Sequence, residues 1–402
     1  MVGYSLKLIR SLDQGGRKMK RRIFFITIMS IFLMVSLASL VEANGKKEFK
    51  GFKGIGGAVY AMTNDTENSV VVYTRNSWGK LTYFNSYLTE GMGTGVEAVD
   101  PLASQGSLIL SQDNRWLFAV NAESNDISVF RVLPKSLVLT CKVDSEGTRP
   151  TSLTFHHNQL YVLNAGIFEE PHNADVPANI TGFTLSWDGI LTPIAGSGRS
   201  LGTGAFSQVG FDPWGKHLVV TDRGGNKLLV FPIDNGIPGA SYVESDSVGD
   251  VPFGFIFDHI GNLLVVEASG GVTAYKILSD NMLTPLDSVP NGQNAACWII
   301  GDGRGFVYTA NTASDTISLY NFNSKNETLN IIDAATATTT GEKPIDMAAA
   351  SGGFYGSFLY ALNDLDGTIG MYRIKLDGSL QDLGSVSSPS DILTHGQGIA
   401  AR

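Results

Sequence analysis

The sequence predicts an all-β fold, a seven-bladed β-propeller of four-stranded antiparallel blades closed by a C-terminal strand that completes blade 1. Three observations predict it. First, a phrase close to Leu-aromatic-x-x-Asn, with Tyr or Phe after eight further residues, recurs along the chain. It reads Tyr60–Asn64 with Tyr73, Leu117–Asn121 with Phe130, Leu218–Asp222 with Phe231, Val307–Asn311 with Tyr320 and Leu359–Asn363 with Tyr372. Leu263–Glu267 with Tyr275 is one residue short, and Leu160–Asn164 reaches Phe183 only after an insertion. Successive Asn/Asp/Glu positions lie 57, 43, 58, 45, 44 and 52 residues apart, a period that suits propeller blades. Second, no window of a dozen residues after residue 43 carries a 3.6-residue apolar period. Third, six repeats have an apolar strand ahead of the phrase, near Ser107, Thr151, Ser207, Phe253, Ala295 and Ile345, and the first has none. The C-terminal run His395–Ala401 looks like the missing strand. Pairing it with blade 1 closes the ring and removes exposed sheet edges.

Blade 2 shows the elements in order. Strands are expected over Ser107–Ser111, Leu117–Asn121, Ile127–Val132 and Leu137–Val143, because β-branched and aromatic residues fill these runs. Turns fall at Asp113-Asn114 and Ser124-Asn125. Strands a to d run outward from the channel. The d-to-a and b-to-c loops then share one face of the disc, and the a-to-b and c-to-d loops share the other.

Residues 1–43 read as a secretory signal rather than part of the propeller, which occupies 44–402. Lys18, Lys20, Arg21 and Arg22 precede the apolar stretch Ile23–Val41, and Val41-Glu42-Ala43 suits cleavage after Ala43. Met19 is an alternative start. The protein is expected to be secreted or periplasmic, or anchored if the signal stays uncleaved, since 19 residues can span a bilayer. The whole chain carries −9. Residues 1–43 hold seven Lys/Arg and two Asp/Glu, which leaves 22 basic against 36 acidic residues, or −14, for the rest. That balance disfavours nucleic acid as a partner. Cys141 and Cys297 fall on an outer and an inner strand of different blades, too far apart for a bridge.

The face sorting divides the candidate chemistry. His156, His157, His217 and His259 lie at a-to-b turns, where polar residues need no further role. The other face holds His395, the inserted loop Gly166–Ala178 with Glu169, Glu170 and His172, and Glu123, Arg223 and Glu267 from b-to-c loops. Gln105, Arg149, Asp250, Gln293 and Lys343 join them from d-to-a connections. The interrupting loop suits a lid or rim. The Asn row reads first as structural, because Asn supports turns. Its departures, Asp222-Arg223 and Glu267, offer a guanidinium that can clamp a carboxylate and a carboxyl that can move protons. An ion-pair network is the plainer account of the same residues. No cofactor is expected. Glu267, Asp222 and Asn side chains are the donors a divalent cation would use, although no spacing motif requires one. There is no Gly-x-Ser-x-Gly elbow, phosphate loop or His-Glu-x-x-His.

The stretches GSLILSQDNRWLFAVNAESNDISVFRV, VGFDPWGKHLVVTDRGGNKLLVF and NTASDTISLYNF resemble the lactonase-type seven-bladed propeller family, over residues 55–401. That family includes bacterial 6-phosphogluconolactonases and fungal 3-carboxy-cis,cis-muconate cyclases. The resemblance implies cofactor-free opening or closing of a lactone ring at a cleft on one face. Catalytic members carry a Pro-His stretch in a middle blade, where this chain has Gly204–Gln208 without histidine. They also carry an Arg after the Asn of a late blade, where this chain has Thr312; Arg223 offers a similar pattern in another blade. The leading expectation is a secreted lactonase-like propeller, a monomer, acting on a small lactone or organic acid. Arg223 would bind the substrate carboxylate or carbonyl with Arg149 assisting, and Glu267 or His395 would handle protons. Asp222, His172 and Gln293 complete the expected substrate-binding set. The alternative is a non-catalytic binding or scaffold propeller with a protein partner.

Overall fold

A computed structural model describes residues 55–134, 136–167, 175–339, 341–353 and 356–402. The proposed signal over 1–43 and His172 lie outside the described residues. The strands form seven antiparallel sheets of one propeller. Blade 2 has strands Leu108–Leu110, Trp116–Asn121, Asp126–Leu133 and Ser136–Asp144, each within two residues of the sequence expectation. Blades 5, 6 and 7 follow the same order over 252–290, 296–338 and 344–387. In blades 3 and 4 the outer strand comes in two pieces, Leu191–Pro193 with Arg199–Gly202 and Ile237–Pro238 with Val243–Asp246.

Blade 1 contributes Ile55–Met62, Ser69–Asn76 and Leu81–Leu88, and its innermost strand is Ile399–Ala401. The pairs Val59–Ala401, Tyr60–Ala400 and Ala61–Ile399 set the antiparallel register. The fully buried Arg75 holds this closure: its Nε and Nη2 donate to the Arg402 main-chain oxygen at 3.2 and 3.0 Å. Nη2 also donates to Gly56 O at 2.8 Å and to Ser351 O of blade 7 at 2.9 Å.

The core lies between neighbouring blades. Second-strand residues such as Leu117, Leu160, Leu218, Leu263 and Leu359 are fully buried, as are the repeat aromatics Tyr73, Phe183, Tyr320 and Tyr372. Second-strand tyrosines also reach the outer hairpin of the next blade. Tyr161 Oη donates to Gly236 O at 2.8 Å, Tyr308 Oη to Gly378 O at 2.7 Å, and Tyr360 Oη to Gly79 O at 2.9 Å.

One irregularity recurs and positions the site. The inner strands of blades 3, 4, 6 and 7 carry a register shift near their start, leaving Thr151, Ser207, Cys297 and Asp346 as the extra residues. Blade 5 has the same irregularity over Phe253-Gly254. A bulge re-aims the side chain it carries, and four of these five bulges carry a hydroxyl, thiol or carboxyl.

Candidate active site at the mouth of the channel

The connection from blade 1 to blade 2 does not skirt the channel; it crosses it. Ser104 and Leu102 are buried, and partners from most of the ring hold the segment. Ser104 Oγ donates to Thr151 O of blade 3 at 2.8 Å, and Gln105 N donates to Ser207 O of blade 4 at 3.2 Å. Trp298 Nε1 of blade 6 donates to Ser104 O at 3.0 Å, and Gln397 Nε2 donates to the same oxygen at 2.8 Å. Gln105 reaches farther: its Nε2 donates to Ile299 O at 2.9 Å and its Oε1 accepts from Ile299 N at 3.0 Å. Gly254 permits this crossing, because a Cβ there would lie 2.2 Å from Gln105 Oε1 and 2.8 Å from Cys297 O. Gln105 therefore belongs to a cross-channel tie instead of the rim the sequence suggested.

This segment brings Asp100 to the mouth of the channel. Its Oδ1 accepts from Gln397 Nε2 at 2.7 Å. Burial outweighs that bond and the nearby Arg223, and pushes the Asp100 carboxyl up to about 7. Arg223, on the second-to-third-strand loop of blade 4, has its guanidinium pKa lowered by burial and feels Asp100, Cys297, Arg149 and Asp222. Its Nε is buried and has no hydrogen-bond partner among the described residues. Arg149 Nη2 donates to Pro101 O at 3.0 Å, on the crossing segment itself. Burial raises the Cys297 thiol, and raises Asp346 to about 7 with Asp100 as a like-charged neighbour. The structure thus gathers two guanidiniums, the Asp100 carboxyl and a thiol around one end of the channel, with Asp346 farther in, near enough to feel the Asp100 charge. Among the described residues no direct ion pair joins Arg223 to Asp100, so the guanidinium keeps donors to spare.

The other expected site residues lie elsewhere. Glu267 is 1% exposed, and its Oε1 accepts from Ser247 Oγ at 3.3 Å. Burial pushes it up to about 7, against bonds from Thr273, Gly249, Ser247 and Tyr275. Neither Arg223 nor Arg149 is among the groups that set its ionisation. Asp222 is beside Arg223 but turns to its own loop, accepting from Gly224 N at 3.1 Å and Gly225 N at 2.9 Å. Gln293 ties blade 6 together, with Oε1 accepting from Thr316 Oγ1 at 3.0 Å. His395 Nδ1 lies 3.3 Å from Oδ2 of the buried Asp364 on blade 7, whose carboxyl burial raises to about 6.

The Asn row is structural. Asn68 Nδ2 donates to Asn121 Oδ1 at 2.9 Å, Asn164 Nδ2 to Ser145 O at 3.0 Å, and Asn291 Nδ2 to Asn311 Oδ1 at 3.0 Å. Each bond joins one blade to the next. Among the described residues no group of three or more His, Cys, Asp or Glu is arranged to hold a metal ion, and both cysteines are free. Also among the described residues, no helix is long and apolar enough to cross a membrane.

Sequence reasoning missed Asp100, Asp346 and Asp364. The signal for Asp100 was the 57-residue interval between Asn64 and Asn121, the only long interval the inserted loop of blade 3 does not explain, apart from the shorter excess before Asn363. Its extra residues fall between Leu81–Leu88 of blade 1 and Leu108, where they form the crossing segment.

No protein-family model matches the chain, and a search of curated proteins finds no match. Solved structures do match. The periplasmic gluconolactonase of Pseudomonas aeruginosa is 17% identical, with a TM-score of 0.66 over 86% of this chain and 98% of that one. A Bacteroides uniformis protein provisionally assigned as a 6-phosphogluconolactonase is 18% identical, with a TM-score of 0.65 over 86% of this chain and 99% of that one. A protein from Lactobacillus plantarum gives 17% and 0.65 over 86% and 99%. The chain has the same seven-bladed propeller fold as these proteins.

Proposed function

We propose that this protein is an exported lactonase-like propeller that opens a small, anionic or polyhydroxylated cyclic ester at the mouth of its channel. The observation that carries the reading is the grouping of Asp100 with Arg223 and Arg149, brought together by the crossing segment. Arg223, with an unpartnered Nε, polarises the lactone carbonyl or clamps a substrate carboxylate. Asp100, when ionised, takes a proton from water as the water oxygen adds to the carbonyl carbon. The ring C–O bond then breaks, and the proton passes to the departing alkoxide to give the open hydroxy acid. A carboxyl held near 7 suits both transfers. Support also comes from the fold shared with a periplasmic gluconolactonase and from the signal-like sequence over 1–43.

Turnover is tested on a panel of sugar and organic-acid lactones. Asp100→Asn is expected to lower kcat/KM by about 100-fold or more, with binding of the open acid retained. The parent's kcat/KM should rise with pH through about 7, because the base must lose its proton. Asp100→Asn protein that keeps full turnover would refute the assignment. A second reading, binding of a small acid without turnover, is favoured by the lack of histidine over Gly204–Gln208 and by Thr312. Calorimetric binding of gluconate, lost in Arg223→Ala, with no turnover on the panel would select it.

A further inference from the structure

Beyond the crossing segment, the channel opens to the opposite face as a cavity of about 480 Å³. Gln105 and Gly106 line its inner end, and Phe155, Phe211 and Phe257 contribute aromatic walls. The size suits a small-molecule site. Asp346 and Asp212 line it, with no Lys or Arg among the described lining residues. His156 also lines it, and burial lowers its imidazole pKa, so it stays neutral. Asp212 is already engaged, with Oδ2 2.9 Å from His217 Nδ1 and Oδ1 accepting from Lys216 N at 2.7 Å.

Asp346 is engaged far less. It is 4% exposed and is the bulged residue of its strand, held in the left-handed region at φ 49°. Among the described residues its Oδ1 accepts only from Met347 N at 2.9 Å, and its Oδ2 only from Ile399 N at 3.3 Å. No cation among the described residues neighbours it, and the charged group that acts on it is another carboxyl, Asp100. A buried carboxyl without a counter-charge, at the end of an aromatic-walled cavity, is an arrangement that a cation with an apolar body completes. The amide groups of Gln105 and Gln208 are spent on main-chain ties to Ile299 and Phe255, so they compete little for the same ligand.

We propose that this end of the channel binds a protonated primary amine carried on an aromatic or apolar body, with the ammonium on Asp346 and the body between Phe155, Phe211 and Phe257. The site is separate from the lactone site, on the other side of the crossing segment, and stands or falls without it.

Isothermal titration calorimetry with tryptamine tests it, with tryptophol as the uncharged counterpart of the same shape. The parent protein should bind tryptamine about tenfold or more tightly than tryptophol. Asp346→Asn should remove that preference. Ile109→Trp, which narrows the cavity and leaves Asp346 in place, should weaken both ligands and covers the case in which Asp346→Asn does not fold. Arg223→Ala, at the far mouth, should leave tryptamine affinity within about twofold while acting on lactones or acids. No tryptamine heat with the parent, equal affinity for tryptophol, or unchanged affinity in Asp346→Asn or in Ile109→Trp would each overturn the proposal.

Discussion

At Glu267 a carboxyl stands where five other blades place Asn. Asn can donate and accept at once, and it is uncharged at every pH. Glutamate imitates it only while protonated, and burial supplies that state by lifting the group to about 7. The sign of the pH effect follows. A native-state pKa above the ordinary value of 4.5 means the folded form binds the proton more tightly. The protein therefore loses stability as pH rises from about 4.5 to about 7, by about 3 kcal/mol for this one group. Glu267→Gln should remove the loss. Thermal melts across pH 5 to 8 should show the variant gaining on the parent as pH rises, and parallel curves would contradict a protonated Glu267. The same bookkeeping separates the arginines. Arg75 is fully buried and spends Nε and Nη2 on main-chain oxygens, with Nη1 unpartnered among the described residues, whereas Arg223 has no main-chain tie of this kind among the described residues and leaves its Nε unpartnered at the mouth of the channel.

Among the elements, the second strand does the most joining. Its aliphatic residues fill the space between blades, and in blades 3, 6 and 7 its tyrosine hydroxyl satisfies a turn carbonyl of the next blade. Tyr360→Phe leaves Gly79 O without that donor at the blade 7 to blade 1 junction. A net loss of about 1 kcal/mol is expected, read as a lower urea midpoint with an unchanged slope. The inner strand has a different task. In blades 3, 4, 6 and 7 its bulge turns one residue out of the ladder, and the chain uses that place for Thr151, Ser207, Cys297 and Asp346. An alternating strand pattern could locate these strands but could not foretell a bulge, because a bulge depends on what the neighbouring strand leaves unpaired.

Across the whole molecule, ring closure rests on a three-residue strand, which is short for the role it fills. Three register pairs are few, so Arg75 matters beyond its own size: it ties the Arg402 oxygen, Gly56 and the Ser351 carbonyl of blade 7 together. Arg75→Ala would remove charge-assisted bonds to the Arg402, Gly56 and Ser351 oxygens and empty a fully buried side-chain position, and should cost about 3 kcal/mol or more. It should also free the Tyr60 strand as an exposed edge, which favours association. Size-exclusion chromatography and chemical unfolding of Arg75→Ala measure both effects. A monomer of parental stability would show that strand pairing alone holds the ring.

The sequence by itself determined the number of blades, the order of strands within each and the closing role of the C-terminal run. These follow from a local pattern repeated at a steady interval, and local pattern is what a strand obeys. It also located Arg223 and Arg149 on one face, because face follows from loop type. Only the tertiary structure decided which of the gathered groups meet. Glu267, on the expected face, is enclosed between blades, and Asp100, in a stretch without pattern, arrives at the mouth because its segment crosses the channel. Such a crossing is fixed by hydrogen bonds to strands from distant parts of the chain, Thr151, Ser207, Trp298 and Gln397 among them, and no neighbouring residue carries its signal.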